Sequence, residues 1–157
     1  INKFHENRIA TVIKHIPGHG LSKLDTHKKL PIINQNINYL NKLDFYPFKK
    51  QKSLLAMTAH IIFSSIDKQY TATHSKKVLN VVRNKIGFKN LIMSDDISMK
   101  SLKFSISKNT TQAFNAGCDI VLHCNGKYNE MLKVAKNSPL LSSFVIKKTS
   151  QLLNIFR

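Results

Sequence analysis

The sequence predicts an α/β fold with about four parallel strands and flanking helices. Three observations carry that expectation. Four short apolar runs recur along the 157 residues, a polar or amphipathic stretch follows each, and each run ends on an ionisable side chain. Runs that are nearly continuous, rather than alternating, suit strands covered on both faces, as in a parallel sheet. In such folds the C-terminal rim of the strands carries the chemistry.

The first run is 10–15 (ATVIKH), ending at His15. After it, Ile33, Ile37 and Leu40 give an i, i+4, i+7 stripe that reads as a helix face. The second run is 54–60 (LLAMTAH), ending at His60. Ser75 is placed to cap a helix bearing Val78, Leu79, Val82 and Ile86, and Gly87 to end it. The third run is 90–95 (NLIMSD), ending at Asp95, with a helix expected over 107–116 and stopped at Gly117. The fourth is 118–123 (CDIVLH), ending at His123. Tyr128, Met131, Leu132 and Ala135 make the next helical face, and Leu141, Phe144, Val145, Leu152 and Ile155 suggest a closing helix. These stripes are packing faces rather than cofactor boxes. No internal linker breaks the pattern, so 1–157 reads as one domain. A closed barrel of eight such units takes about 250 residues, so four units make half of one.

Composition narrows the function classes. Hydrophobic residues make up 42% of the chain, which excludes a disordered polymer. No apolar run approaches the roughly 18–20 residues that span a bilayer, and 1–10 lacks the apolar middle of a signal peptide, so a cytoplasmic protein with no membrane partner is expected. The chain begins with Ile1 rather than Met, so an upstream part or an unusual start is expected too. The formal charge of +17 comes mostly from scattered lysines. With no aromatic-interleaved or Arg/Gly-rich stretch beside them, they set solubility and nonspecific attraction rather than a nucleic-acid site. Cys118 and Cys124 are expected on one strand, too far apart for a disulfide, as buried thiols of a reducing compartment. No metal ligand set and no cofactor are expected; His19 and His60 read as histidines that structure their loops.

Two segments carry chemistry. The first is Lys14-His15-Ile16-Pro17-Gly18-His19-Gly20, followed by Asp25-Thr26-His27 and Leu30-Pro31. An Asp-x-His spacing lets a carboxylate orient an imidazole and raise its pKa toward neutrality, as general acid/base work requires. The second is Ser94-Asp95-Asp96, in a chain with only eight acidic residues. Adjacent carboxylates at the end of a strand are costly unless a turn, a ligand or a reaction uses them.

In order along the chain, these motifs resemble the family 3 glycoside hydrolases, specifically the bacterial cytoplasmic β-N-acetylglucosaminidases, which carry K-H-F-P-G-H-G, then D-S-H, then L-P. Met57-Thr58-Ala59-His60, Asp67, Thr71-Ala72-Thr73 with Ser75, Ile86-Gly87-Phe88, Ser94 to Met99 and Ala116 to Gly126 extend the likeness. Ile16 stands for the family's phenylalanine, Thr26 for its serine and Thr71 for its usual proline. The resemblance implies the C-terminal half of a TIM (β/α)8 barrel. It implies retaining exo-hydrolysis of terminal β-linked N-acetylglucosamine, of the peptidoglycan-recycling type, through a covalent glycosyl-enzyme. Asp95 matches the nucleophile, His27 the general acid/base and Asp25 its partner, while Lys14 and His15 match residues that hydrogen-bond the sugar; Asp96 organises the loop. The family also grips the sugar through a D-Q-E-G-G-R-type segment and an upstream arginine, neither of which occurs in 1–157. Hydroxyl contacts of that kind supply several kcal/mol in the transition state. Activity is therefore expected to need an N-terminal half-barrel, supplied by a separate chain. The alternatives are an inactive remnant of a split gene and a basic binding module without catalysis.

Overall fold

The structure is a computed structural model that describes residues 1–22 and 30–156. A short helix α1 (Asn2–Glu6) leads into strand β1 (Val12–Ile16). Then come β2 (Ile32–Ile33), α2 (Ile37–Lys42), a 3-10 turn at Tyr46–Phe48, β3 (Leu55–Thr58) and β4 (Ile62–Phe63). Helix α3 (Lys76–Val81) widens into a π turn over Val82–Ile86. Strand β5 (Leu91–Asp96), α4 (Ile106–Ala116), β6 (Ile120–Leu122), α5 (Tyr128–Asn137) and α6 (Ser143–Leu153) complete the described chain, with a last 3-10 turn at Asn154–Phe156. The main sheet has the order β1-β3-β5-β6, and every neighbouring pair is parallel. The expected α/β fold of four parallel strands with intervening helices is therefore present.

Local chemistry places most boundaries. The Ser75 hydroxyl accepts from the Val78 N–H at 3.2 Å, and Gly87 ends the helix at φ +82°, a left-handed conformation that costs glycine nothing. Ser105 and Ser142 cap α4 and α6 in the same way, and Gly117, at φ +117°, ends α4. The stripe beginning at Ile33 is corrected. Ile32 and Ile33 pair in parallel with Ile62 and Phe63, and the helix starts only at Ile37, where the Asn36 side chain accepts from Tyr39 N at 2.9 Å. An apolar residue three or four positions ahead of a helix satisfies the helical spacing whether or not it is helical. The cysteines are corrected as well. Strand β6 is only three residues long and holds neither of them; Cys118 is buried before it and Cys124 is exposed after it, both as free thiols.

The core lies between the sheet and its helices, where Ile16, Ala56, Leu79, Val82, Ile92 and Ala113 pack with Phe45 and Phe63. The N-terminal side of the sheet is pinned by Asp119. Its Oδ2 accepts from Arg83 Nη2 at 2.6 Å and from the Ile92 N–H at 2.8 Å, while Arg83 Nη1 donates to the carbonyls of Phe88 and Asn90. The guanidinium also lies over the Phe144 ring, 5.6 Å from its centroid. One carboxylate thus joins the π turn, β5, the start of β6 and α6. Asp119→Ala strands both donors and is expected to lower stability by about 2 kcal/mol, read from the urea midpoint at unchanged m.

Candidate active site

The C-terminal rim of the main sheet gathers Lys14, His15, Asp95 and Asp96 from the residues that the sequence singled out. Two of them sit where the strand ladder is irregular. The β1–β3 register shifts between Lys14 and Ile16, so His15 falls at the irregularity. The β5–β6 register shifts between Met93 and Asp96, so Ser94 and Asp95 fall at the other. There the buried Ser94 hydroxyl accepts from the Leu122 N–H at 2.9 Å, taking the place of a ladder carbonyl. Such irregularities re-aim side chains, and here they turn His15 and Asp95 toward each other. His15 Nε2 lies 3.5 Å from Asp95 Oδ2, with both side chains partly open to solvent.

The two oxygens of Asp95 have different surroundings. Oδ1 accepts from the Asp96 N–H at 2.8 Å, while Oδ2 faces His15. Burial holds the His15 pKa below its ordinary value; the Asp95 charge opposes that, and Lys14, His19 and His60 add to it. At neutral pH His15 is therefore a neutral imidazole, able to donate one N–H. Asp96 is the organiser that its position suggests. Its Oδ1 takes the Ser98 N–H at 3.0 Å and the Cys124 N–H at 3.1 Å, and the Ser98 hydroxyl closes on the same carboxylate. It ties the loop after β5 to the loop after β6.

On the β1 side, Lys14, His15, His19, Gly20, Leu21, Leu43, Asp44, Pro47 and Phe48 line an open depression of about 650 Å³. Lys14 is exposed, and the His15 and His19 ring centroids are 5.5 Å apart. The depression's floor is Asp44, which the sequence did not reveal, since a lone aspartate before aromatic residues carries no pattern. It is buried, and its Oδ1 accepts from the Gly20 N–H at 3.0 Å. Burial raises its pKa, against the N–H donors of Gly20 and Leu21 and the proximity of His19. The two glycines of the loop therefore have a use. A Cβ on Gly18 would run into the Asp44 carboxyl group and stand 2.9 Å from the Asp44 carbonyl oxygen, which cannot swing away. Gly18→Ala is expected to lower stability by about 1–3 kcal/mol, measured by urea unfolding.

His60, expected as a structuring residue, is buried between Thr73 and the Asp96 carbonyl. His123 pairs instead with Glu130, Nε2 to Oε2 at 3.1 Å. Asp25 and His27 lie outside the described residues. Among the described residues no group of three or more His, Cys, Asp or Glu side chains could hold a metal ion. No helix among them is long and apolar enough to cross a membrane.

Comparison with known proteins gives the family. The model of the glycosyl hydrolase family 3 N-terminal domain matches residues 1–155. The chain belongs to glycoside hydrolase family 3. A family relative from Nitrosomonas eutropha, named beta-hexosaminidase, is 36% identical over 122 residues, covering 74% of this chain and 35% of the relative. Another beta-hexosaminidase, from Haemophilus influenzae, is 31% identical over 168 residues, covering all of this chain and 47% of the relative. NagZ from Neisseria gonorrhoeae, solved in complex with N-trifluoroacetyl-D-glucosamine, superposes with a TM-score of 0.77 at 27% identity, over 91% of this chain and 42% of that one. The chain thus spans less than half the length of these family members.

Proposed function

We propose that this chain carries the nucleophile and part of the sugar-binding wall of a retaining β-N-acetylglucosaminidase that removes terminal β-linked N-acetylglucosamine from cell-wall fragments in the cytoplasm. The observation that supports it is the asymmetry of Asp95, with Oδ1 engaged by the Asp96 N–H and Oδ2 at the rim beside a neutral imidazole. A nucleophilic carboxylate needs one oxygen held and the other free to approach an anomeric carbon.

In this reading Oδ2 attacks C1 as the glycosidic C–O bond breaks, and His27, oriented by Asp25, gives its proton to the leaving oxygen. A covalent glycosyl-enzyme results. His27 then takes a proton from water, which attacks C1 and releases Asp95 and the sugar. Lys14 and His15 hydrogen-bond the sugar ring. The further hydroxyl contacts come from an N-terminal half-barrel, in a separate or continuous polypeptide, which makes that half the proposed partner.

Hydrolysis of a chromogenic aryl β-N-acetylglucosaminide, by the chain alone and with the upstream half of a family 3 relative added, tests the reading. Turnover appearing or rising with the added half supports it. No turnover in either case favours the inactive remnant. Tight binding to RNA that weakens steeply with salt, again without turnover, favours the basic binding module.

A further inference from the structure

We infer that His60 is a positioning residue for Asp95, acting as the neutral tautomer protonated on Nε2. This rests on the reading of Asp95 given above. His60 follows β3, with only 1% of its surface exposed. Its Nε2 is 3.0 Å from the Asp96 carbonyl oxygen and its Nδ1 is 2.8 Å from Thr73 Oγ1. A carbonyl oxygen only accepts, so Nε2 must carry a hydrogen. In a neutral ring Nδ1 is then bare and takes the Thr73 hydroxyl proton. Thr73 has spent its one hydrogen, so the buried Thr58 hydroxyl, 2.8 Å away, donates to it. The 3.3 Å contact from Thr73 to the Ala59 carbonyl is the weaker alternative.

The chain of bonds has one direction: Thr58 to Thr73 to His60 to the Asp96 carbonyl. It ends one residue beyond the nucleophile. Asp96 is thereby held at its carbonyl by His60, at its carboxylate by Ser98 and Cys124, and at its N–H by Asp95 Oδ1. Because that last bond fixes the Asp95 carboxylate, whatever fixes the Asp96 backbone also aims Oδ2. The charged and titratable groups facing His60 are His15 from β1, His74 from the segment before α3, and Asp95 and Asp96 from β5. The aspartates and the Asp96 carbonyl favour the imidazolium; burial outweighs them and keeps the ring neutral.

Two measurements on the full chain test this. In 15N NMR of histidine-labelled protein at neutral pH, His60 is expected with a bare Nδ1 and a protonated Nε2. The opposite tautomer, or an imidazolium, overturns the proposal. The second measurement, made with the upstream half of a family 3 relative added, compares His60→Gln, whose amide nitrogen replaces Nε2, with His60→Asn, whose amide nitrogen falls near Nδ1 and cannot reach Asp96. His60→Asn is expected to lose about 10²-fold in kcat at unchanged KM, because a misaimed nucleophile costs that much, while His60→Gln keeps most of its activity. Equal losses in both variants overturn the proposal, since a merely structural histidine gives that result. If the wild type hydrolyses nothing even with the upstream half present, the proposed function fails, and the tautomer alone decides the role of His60.

Discussion

With the upstream half-barrel present, Asp95→Asn is expected to lower aryl β-N-acetylglucosaminide hydrolysis by at least about 10³-fold, because the step that it removes has no substitute in the site. The substitution is chosen to leave the fold alone. Asparagine keeps a carbonyl oxygen where Oδ1 stands, so the Asp96 N–H keeps its acceptor. What it loses is the negative charge and nucleophilicity of Oδ2 beside His15. The unfolding midpoint should therefore stay within about 0.5 kcal/mol of wild type, as expected of a substitution that breaks no buried contact. A proportionate fall in stability and activity would point to a turn-forming aspartate instead.

Acidification is expected to destabilise the protein through His74. This imidazole is buried against Phe104, their centroids 6.1 Å apart, with Nε2 lacking a hydrogen-bond partner among the described residues. Burial first, and His60 second, lower its pKa from 6.5 to about 4. The unfolded chain therefore binds a proton that the native state refuses between those two values. The stabilising contribution is complete above about pH 6.5 and is lost as pH falls toward 4, by about 3 kcal/mol in all. Urea unfolding at a series of pH values should show the loss in wild type. It should be flatter in His74→Phe, which keeps a ring against Phe104 and has nothing to protonate, with the slope that remains coming from His15 and His60 among others. An equal slope in both proteins would assign the acid sensitivity to other groups.

Much of this was legible in the sequence. The apolar runs and their ionisable ends located the main-sheet strands, although only the inner strands β3 and β5 hold several buried positions and the edge strands β1 and β6 stay partly open. Ser75, Gly87 and Gly117 marked helix ends because capping hydroxyls and left-handed glycines act locally. The two-residue strands β2 and β4 were invisible, since two residues define no period. The irregular registers at His15 and Ser94-Asp95 were invisible for a different reason: they arise between strands distant in sequence. So was the use of Asp44, whose partner Gly20 lies 24 residues away. The sequence named the residues that meet at the rim, whereas the geometry that separates the two oxygens of Asp95 belongs to the folded chain.

The most direct test of the account is to trap the intermediate. The protein, with the upstream half-barrel present, is incubated with a 5-fluoro-N-acetylglucosaminyl fluoride and then mapped by peptide mass spectrometry. A fluorosugar ester on Asp95 is predicted, absent in Asp95→Asn. An ester on Asp96, or an unlabelled protein that nonetheless hydrolyses the aryl glycoside, would contradict it, the second result pointing to substrate-assisted catalysis by the acetamido group.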